Sequence, residues 1–84
     1  MATLIDHSGA ETEICPESGE AFGLKELQKA VGGYIELVYL GNDKILVVNE
    51  EGLLENLPLN RKASTLARRP IVGNVVYCDN KQID

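Results

Sequence analysis

The chain is short of the residues from which small proteins usually build chemistry. Among its 84 residues there is one histidine, His7, and two cysteines, Cys15 and Cys78, far apart and with no CxxC pair. A zinc site needs several Cys or His ligands at close spacing, so no metal site is expected. No Ser/His/Asp or Cys/His arrangement can be assembled either. Ser8 adjoins His7 only in sequence, and neighbours at i+1 usually face apart. There is no GxxxxGK[ST] and no GxGxxG, which excludes a phosphate-loop enzyme. Widely separated cysteines read as reduced thiols, since a disulfide would require the two strands that carry them to lie side by side. No run of about 20 apolar residues exists to form a transmembrane helix. The start, MATLIDHSG, lacks the basic opening and long apolar core of a signal peptide. The expected location is the cytoplasm.

What is present is ordinary for a folded domain, with 44% apolar and 25% charged residues. A chain this short has a thin core, so a single domain over 1–84 that gains from homo-oligomerisation is expected. The formal net charge of −5 disfavours direct binding to nucleic acid or to an anionic membrane. It suits a protein partner with a basic surface.

The densest structural signal is Val31 to Gly52. Two runs rich in β-branched and aromatic residues, Tyr34–Leu40 and Lys44–Asn49, flank Gly41-Asn42-Asp43, the pattern of a β-hairpin with a short loop. Nearly every position in both runs is apolar, so the hairpin is expected at the centre of a sheet with both faces covered. Thr3–Asp6 and Thr12–Cys15, separated by His7-Ser8-Gly9, read as a first hairpin ended by Pro16. Between the hairpins, Leu24, Leu27 and Val31 recur at helical spacing, which predicts a helix over Leu24–Val31. Phe22 packs back on its first turn and Gly32-Gly33 stops it.

After Gly52 the run Leu53-Leu54-Glu55-Asn56-Leu57-Pro58-Leu59 predicts a short helical turn or an irregular apolar bridge. Asn60 can cap a second helix over Arg61–Arg69, with Ala63, Leu66 and Ala67 inward. Arg68 and Arg69 fall in its last turn, where the dipole favours cations, before Pro70 ends it. Ile71–Cys78 reads as the last strand, with Gly73 marking a bulge or a close backbone approach, and Asp79–Asp84 as a polar tail. The predicted fold is α+β, in the order β-β-α-β-β-α-β, with a mostly antiparallel sheet and two helices.

Three polar groupings stand out. Asn49-Glu50-Glu51-Gly52 places two carboxylates and an amide at a strand end, and is either a ligand corner or a solvated turn in which Gly52 supplies positive φ. Glu36 interrupts an apolar strand. It is either buried against Arg61, Arg68, a ligand or a second subunit, or solvated near a sheet edge. Asn60-Arg61-Lys62 with Arg68-Arg69 gathers four of the eight basic residues into one segment able to hold a phosphate, or merely into a solvated helix. Tyr34, Tyr39 and Tyr77 are expected in the core or an interface.

The segments VGGYIE, VVNEEG, LPLNRKAS and IVGNVV, in that order, resemble a family of small proteins found in bacteriophages, plasmids and other mobile elements and known only as a domain of unknown function. The resemblance spans about Leu24 to Cys78, and the first hairpin fits it more loosely. Matching positions include Gly32, Gly33, Tyr34, Glu36, Asn49, Glu50, Gly52, Pro58, Asn60, Ala63, Val72 and Gly73. The family carries no established catalytic residues. The resemblance implies a non-catalytic accessory protein, without a cofactor, that binds and inhibits a host protein such as a defence component. The alternative is a protein that binds or sequesters a small nucleotide. Backbone geometry accounts for the glycines but not for Glu36, Asn49, Glu50, Asn60, Arg61 and Lys62, which form the candidate binding cluster. The short bridge between Gly52 and Asn60 is expected to bring the strand end and the helix start together.

Overall fold

A computed structural model describes residues 2–83 of the chain. In sequence order the elements are β1 (Ala2–Ile5), β2 (Glu11–Ile14), α1 (Leu24–Val31), β3 (Ile35–Gly41), β4 (Lys44–Asn49), α2 (Arg61–Ala67) and β5 (Val75–Asp79). A short 3₁₀ turn, Asn80–Gln82, follows where the sequence suggested only a polar tail. Phe22 N–H donates to the Gln82 carbonyl at 2.6 Å, so this tail returns against the entry to α1. The five strands form one sheet in the order β2-β1-β5-β4-β3, and every pairing is antiparallel. The protein is thus a small α+β domain.

Local chemistry explains where each element stops. Asp6 leaves the first strand because its carboxylate accepts hydrogen bonds from Ser8 N–H (2.9 Å), the Ser8 hydroxyl (2.5 Å) and Ala10 N–H (3.0 Å). The Ser8 hydroxyl bond, aided by the backbone bonds, holds that carboxyl below its ordinary range. Both strands of the hairpin consequently lie one residue earlier than the sequence pattern suggested. In the second hairpin Asn42 (φ 53°) and Asp43 (φ 61°) are both left-handed, the geometry of a tight type I′ turn that matches strand twist. Glu26 fixes the start of α1 by accepting hydrogen bonds from Gly23 and Glu17 N–H, each at 3.0 Å.

The second hairpin is not the centre of the sheet. β5 holds that position, bonded to β1 on one side and β4 on the other, and β3 forms an edge. β4 is buried from Ile45 to Asn49, as its apolar run implied. β3 has a similar composition but is buried only at Val38, with Glu36 and Tyr39 exposed. Apolar density alone does not separate an edge strand carrying aromatics from a doubly covered one.

Each face of the sheet carries one helix. Leu27 and Val31 of α1 pack with Phe22 on Ile45, Val47, Val76 and Cys78. Leu24, expected on this inner face, is instead exposed at the first helical position. On the opposite face Ala63 of α2 packs with Ile5, Leu46, Val48, Ile71 and Val75. α2 is two residues shorter at its end than the sequence suggested, because Arg68 turns left-handed (φ 57°) and donates its N–H to the Ser64 carbonyl. Arg68 and Arg69 therefore lie beyond the helix, and Leu66 faces largely outward. The last strand begins only at Val75. Residues 71–74 instead form a bridge between Leu59 and Val72 and a turn at Gly73 (φ 77°), where a Cβ would come within 2.8 Å of Leu57 Cδ1. Gly73 marks a close approach.

Two consequences are measurable. Arg68 holds a conformation that costs an L-residue energy and glycine little. Arg68→Gly is expected to raise stability by about 0.5–1 kcal/mol in denaturant unfolding. The thiols also differ, since β1 separates β2 from β5 and neither cysteine is bonded to the other. Cys15 is exposed, whereas burial pushes the Cys78 thiol up to about 11. An aromatic disulfide reagent at pH 8 should titrate Cys15 at once and Cys78 only after unfolding.

Candidate functional site

The six candidate residues occupy three different environments. Asn49, at the end of β4, is buried. Its amide nitrogen donates to the Val31 carbonyl (3.3 Å) and to Glu55 Oε1 (2.9 Å), and its oxygen accepts from Glu51 N–H (2.8 Å). Backbone bonds from Gly52 N–H to the Asn49 carbonyl and from Leu57 N–H to the Gly52 carbonyl continue this organisation. The result is an ordered turn through residues 50–57. Gly52 does not have positive φ. It is required because a Cβ there would meet Val72 Cγ2 at 2.6 Å.

Asn60 is fully buried and caps α2, its oxygen accepting from Ala63 N–H at 3.0 Å. Its amide nitrogen donates to the carbonyls of Ile5 (3.0 Å) and Gly73 (2.8 Å). Both asparagines thus have their hydrogen-bonding capacity committed to the fold, which is why they interrupt apolar segments.

Glu36 lies on the exposed edge strand, half exposed and 3.4 Å from an Arg69 guanidinium nitrogen. Its solvated reading is the right one, and its cation is neither Arg61 nor Arg68. Glu36, Asn49, Glu50 and Arg69 border a small pocket of about 80 Å³. Arg61 and Lys62 stand elsewhere, on a cleft of about 500 Å³ between α2 and the sheet. Ile5, Tyr77 and Leu66 supply its apolar wall. Lys62 is ion-paired with Glu11 across it. The expected union of strand end and helix start does not occur, because α2 runs across the sheet from the β2 side towards β3 and places the two basic pairs at its opposite ends.

Sequence reasoning missed the most exposed apolar side chains. Leu53 and Leu54 are 74% and 81% exposed on the ordered turn, between Glu50-Glu51 and Glu55. Tyr34 and Tyr39, expected in the core or an interface, are 64% and 70% exposed and so stand outside the core, and Tyr77 is half-buried. The available signal was that Leu53-Leu54 follows neither a helical nor a strand period and is enclosed by acids. His7 sits in the first turn, and among the described residues no group of three or more His, Cys, Asp or Glu side chains is placed to hold a metal ion.

The asparagines give a sharp test of structural against ligand roles. Asn60→Asp keeps the capping oxygen but loses both donors and sets a carboxylate beside two carbonyls. Unfolding should show a loss of about 2–4 kcal/mol, larger than for removal of a cap alone. Glu36→Gln should change stability by less than about 0.5 kcal/mol, as expected of a half-exposed pair.

No curated protein and no solved structure matches the chain. A family model described as a domain of unknown function (DUF3846) matches residues 2–84, and so takes in the first hairpin as well as the segments from Leu24 onward. The chain therefore belongs to this family of domains of unknown function.

Proposed function

We propose that the protein works by binding, without chemistry of its own, as an accessory protein of a phage or other mobile element that occupies and inhibits a host factor such as a component of host defence. The observation that carries this reading is the Leu53-Leu54 pair, held outward on a turn whose conformation is fixed by the buried Asn49. Single exposed leucines are common on protein surfaces. Two adjacent ones on an ordered turn make a local apolar patch of the kind that marks binding surfaces. Burying both side chains against a partner would contribute about 1.5–3 kcal/mol each. Because the turn is already ordered, little conformational entropy is lost on docking. Glu50, Glu51 and Glu55 around the leucines select a partner whose apolar pocket has a basic rim, in keeping with the net charge of −5.

The cleft favours a second reading, a small nucleotide held with its base on Tyr77 and Leu66 and its phosphate towards Arg61 and Lys62. The two readings separate in one experiment. The protein is purified gently from its host background and examined by native mass spectrometry, alongside Leu53→Ser/Leu54→Ser and Arg61→Ala variants. The inhibitor reading expects a host polypeptide bound to wild type and to Arg61→Ala. It expects affinity at least about tenfold weaker in the leucine variant, whose stability changes by less than about 0.5 kcal/mol. Retention of that polypeptide by the leucine variant refutes this surface. A small added mass lost in Arg61→Ala replaces the reading with the nucleotide one.

A further inference from the structure

The two edges of the sheet differ in what they can pair with. On β3, Glu50 N–H donates to the Tyr34 carbonyl at 2.8 Å, so residue 34 directs its backbone groups towards β4. Successive residues of an antiparallel strand turn these groups to opposite sides. Glu36 and Val38 therefore bond to β4, while the N–H and C=O groups of Ile35, Leu37 and Tyr39 point away from it. Among the described residues β3 pairs with β4 alone, so this row of donors and acceptors is open.

We infer that the β3 edge pairs antiparallel with the β3 edge of a second copy of this chain, about a twofold axis at Leu37, joining the two sheets into one. That axis is the one that uses all three outward residues, setting Leu37 against Leu37 of the other copy and Ile35 against its Tyr39. Tyr39, 70% exposed in the single chain, then covers a β-branched side chain, a favourable cross-strand combination. Glu36 faces Val38, so no like charges are opposed. Arg69 already neutralises Glu36 beside the edge.

The other edge cannot do the same. On β2, the bond from Asp6 N–H to the Ala10 carbonyl sets the phase so that Glu11 and Glu13 turn their backbone groups outward. Self-pairing about Thr12 would set Glu11 against Glu13, and about Glu13 would set two Glu13 side chains against each other. Either opposes carboxylates: Lys62 stands beside Glu11, but Glu13 has no ion pair among the described residues. β2 is also short, a common protection of edges. Self-pairing is thus favoured at the β3 edge alone, which gives a closed pair of chains rather than an array that alternates β3–β3 and β2–β2 contacts. The pairing is independent of the leucine turn and of the α2 cleft.

Sedimentation equilibrium from micromolar to millimolar protein, with amide hydrogen exchange read residue by residue, tests this. The expected result is a species of two chains in which the amides of Ile35, Leu37 and Tyr39 are protected and lose protection on dilution. Tyr39→Lys, at an exposed position, leaves the fold intact and weakens self-association on the order of tenfold or more, because the twofold counts each substitution twice. A single-chain mass at every concentration overturns the inference. So does a dimer that tolerates Tyr39→Lys while those three amides exchange freely, since it would use another face.

Discussion

The fold depends on a single buried amide. Asn60 is fully enclosed, and its side chain joins three segments that are distant in sequence: the start of α2, the end of β1 at Ile5 and the turn at Gly73. An isolated helix of seven residues is far too short to hold itself in water. α2 contributes only Ala63 to complete burial, so apolar packing places it weakly. Asn60 supplies the placement. Ser64 adds to it, its hydroxyl oxygen accepting from Ile71 N–H at 2.8 Å and lying 2.7 Å from the Asn60 carbonyl. A buried polar group with every partner present specifies one arrangement, because any other leaves donors or acceptors unsatisfied in a medium without water.

This way of fixing α2 makes the two faces of the sheet unequal. α1 seals its face with Leu27, Val31 and the adjoining Phe22, and its caps use backbone and Glu26 rather than core side chains. α2 is pinned at its start and buries only Ala63 completely, and between it and the sheet beside Ile5 and Tyr77 a cleft is left open. Asn49 plays the corresponding part for the turn after β4. It ties residues 50–57 to the end of α1 through the Val31 carbonyl, and Leu53 and Leu54 of that turn are left exposed while Leu57 packs against the backbone at Gly73. The surfaces left available for partners are thus by-products of where two asparagines make their hydrogen bonds.

The same two residues mark how far the sequence could be read. Turn and cap chemistry is local, so the bounds of α1 and β4 and the loop at Asn42-Asp43 were legible from a few neighbouring side chains. The place of the hairpin in the sheet was not, since strand order depends on pairings between segments tens of residues apart. β3 and β4 have nearly the same apolar content while one is an edge and the other is enclosed. Asn49 and Asn60 stand out in the sequence as candidate binding residues, and the structure commits both amides to hydrogen bonds within the fold. Their sequence cannot distinguish an amide that waits for a ligand from one already bonded to Val31, Ile5 and Gly73. The free surface of Leu53 and Leu54 was not legible, because a run that reads as a short helical turn or an irregular apolar bridge does not say which way each leucine faces.

The Glu36–Arg69 pair shows how a weak interaction can matter away from stability. At 3.4 Å and half exposed on both sides, it is screened by solvent and contributes little to the fold. Its effect is on charge distribution. The chain carries an excess of five negative charges, and other acids line the β2 edge and the turn after β4. Beyond about 8 Å such charges are largely screened at physiological salt, so repulsion between two copies is decided by what stands at the contact itself. Along β3 the one carboxylate within the strand already has a cation beside it, supplied by Arg69, two residues past the end of α2. The left-handed turn at Arg68 is what ends the helix early enough to set Arg69 there. A left-handed backbone position immediately after α2 therefore helps to keep the β3 edge of an acidic protein electrically quiet, whereas the open backbone of the β2 edge is flanked by Glu11 and Glu13.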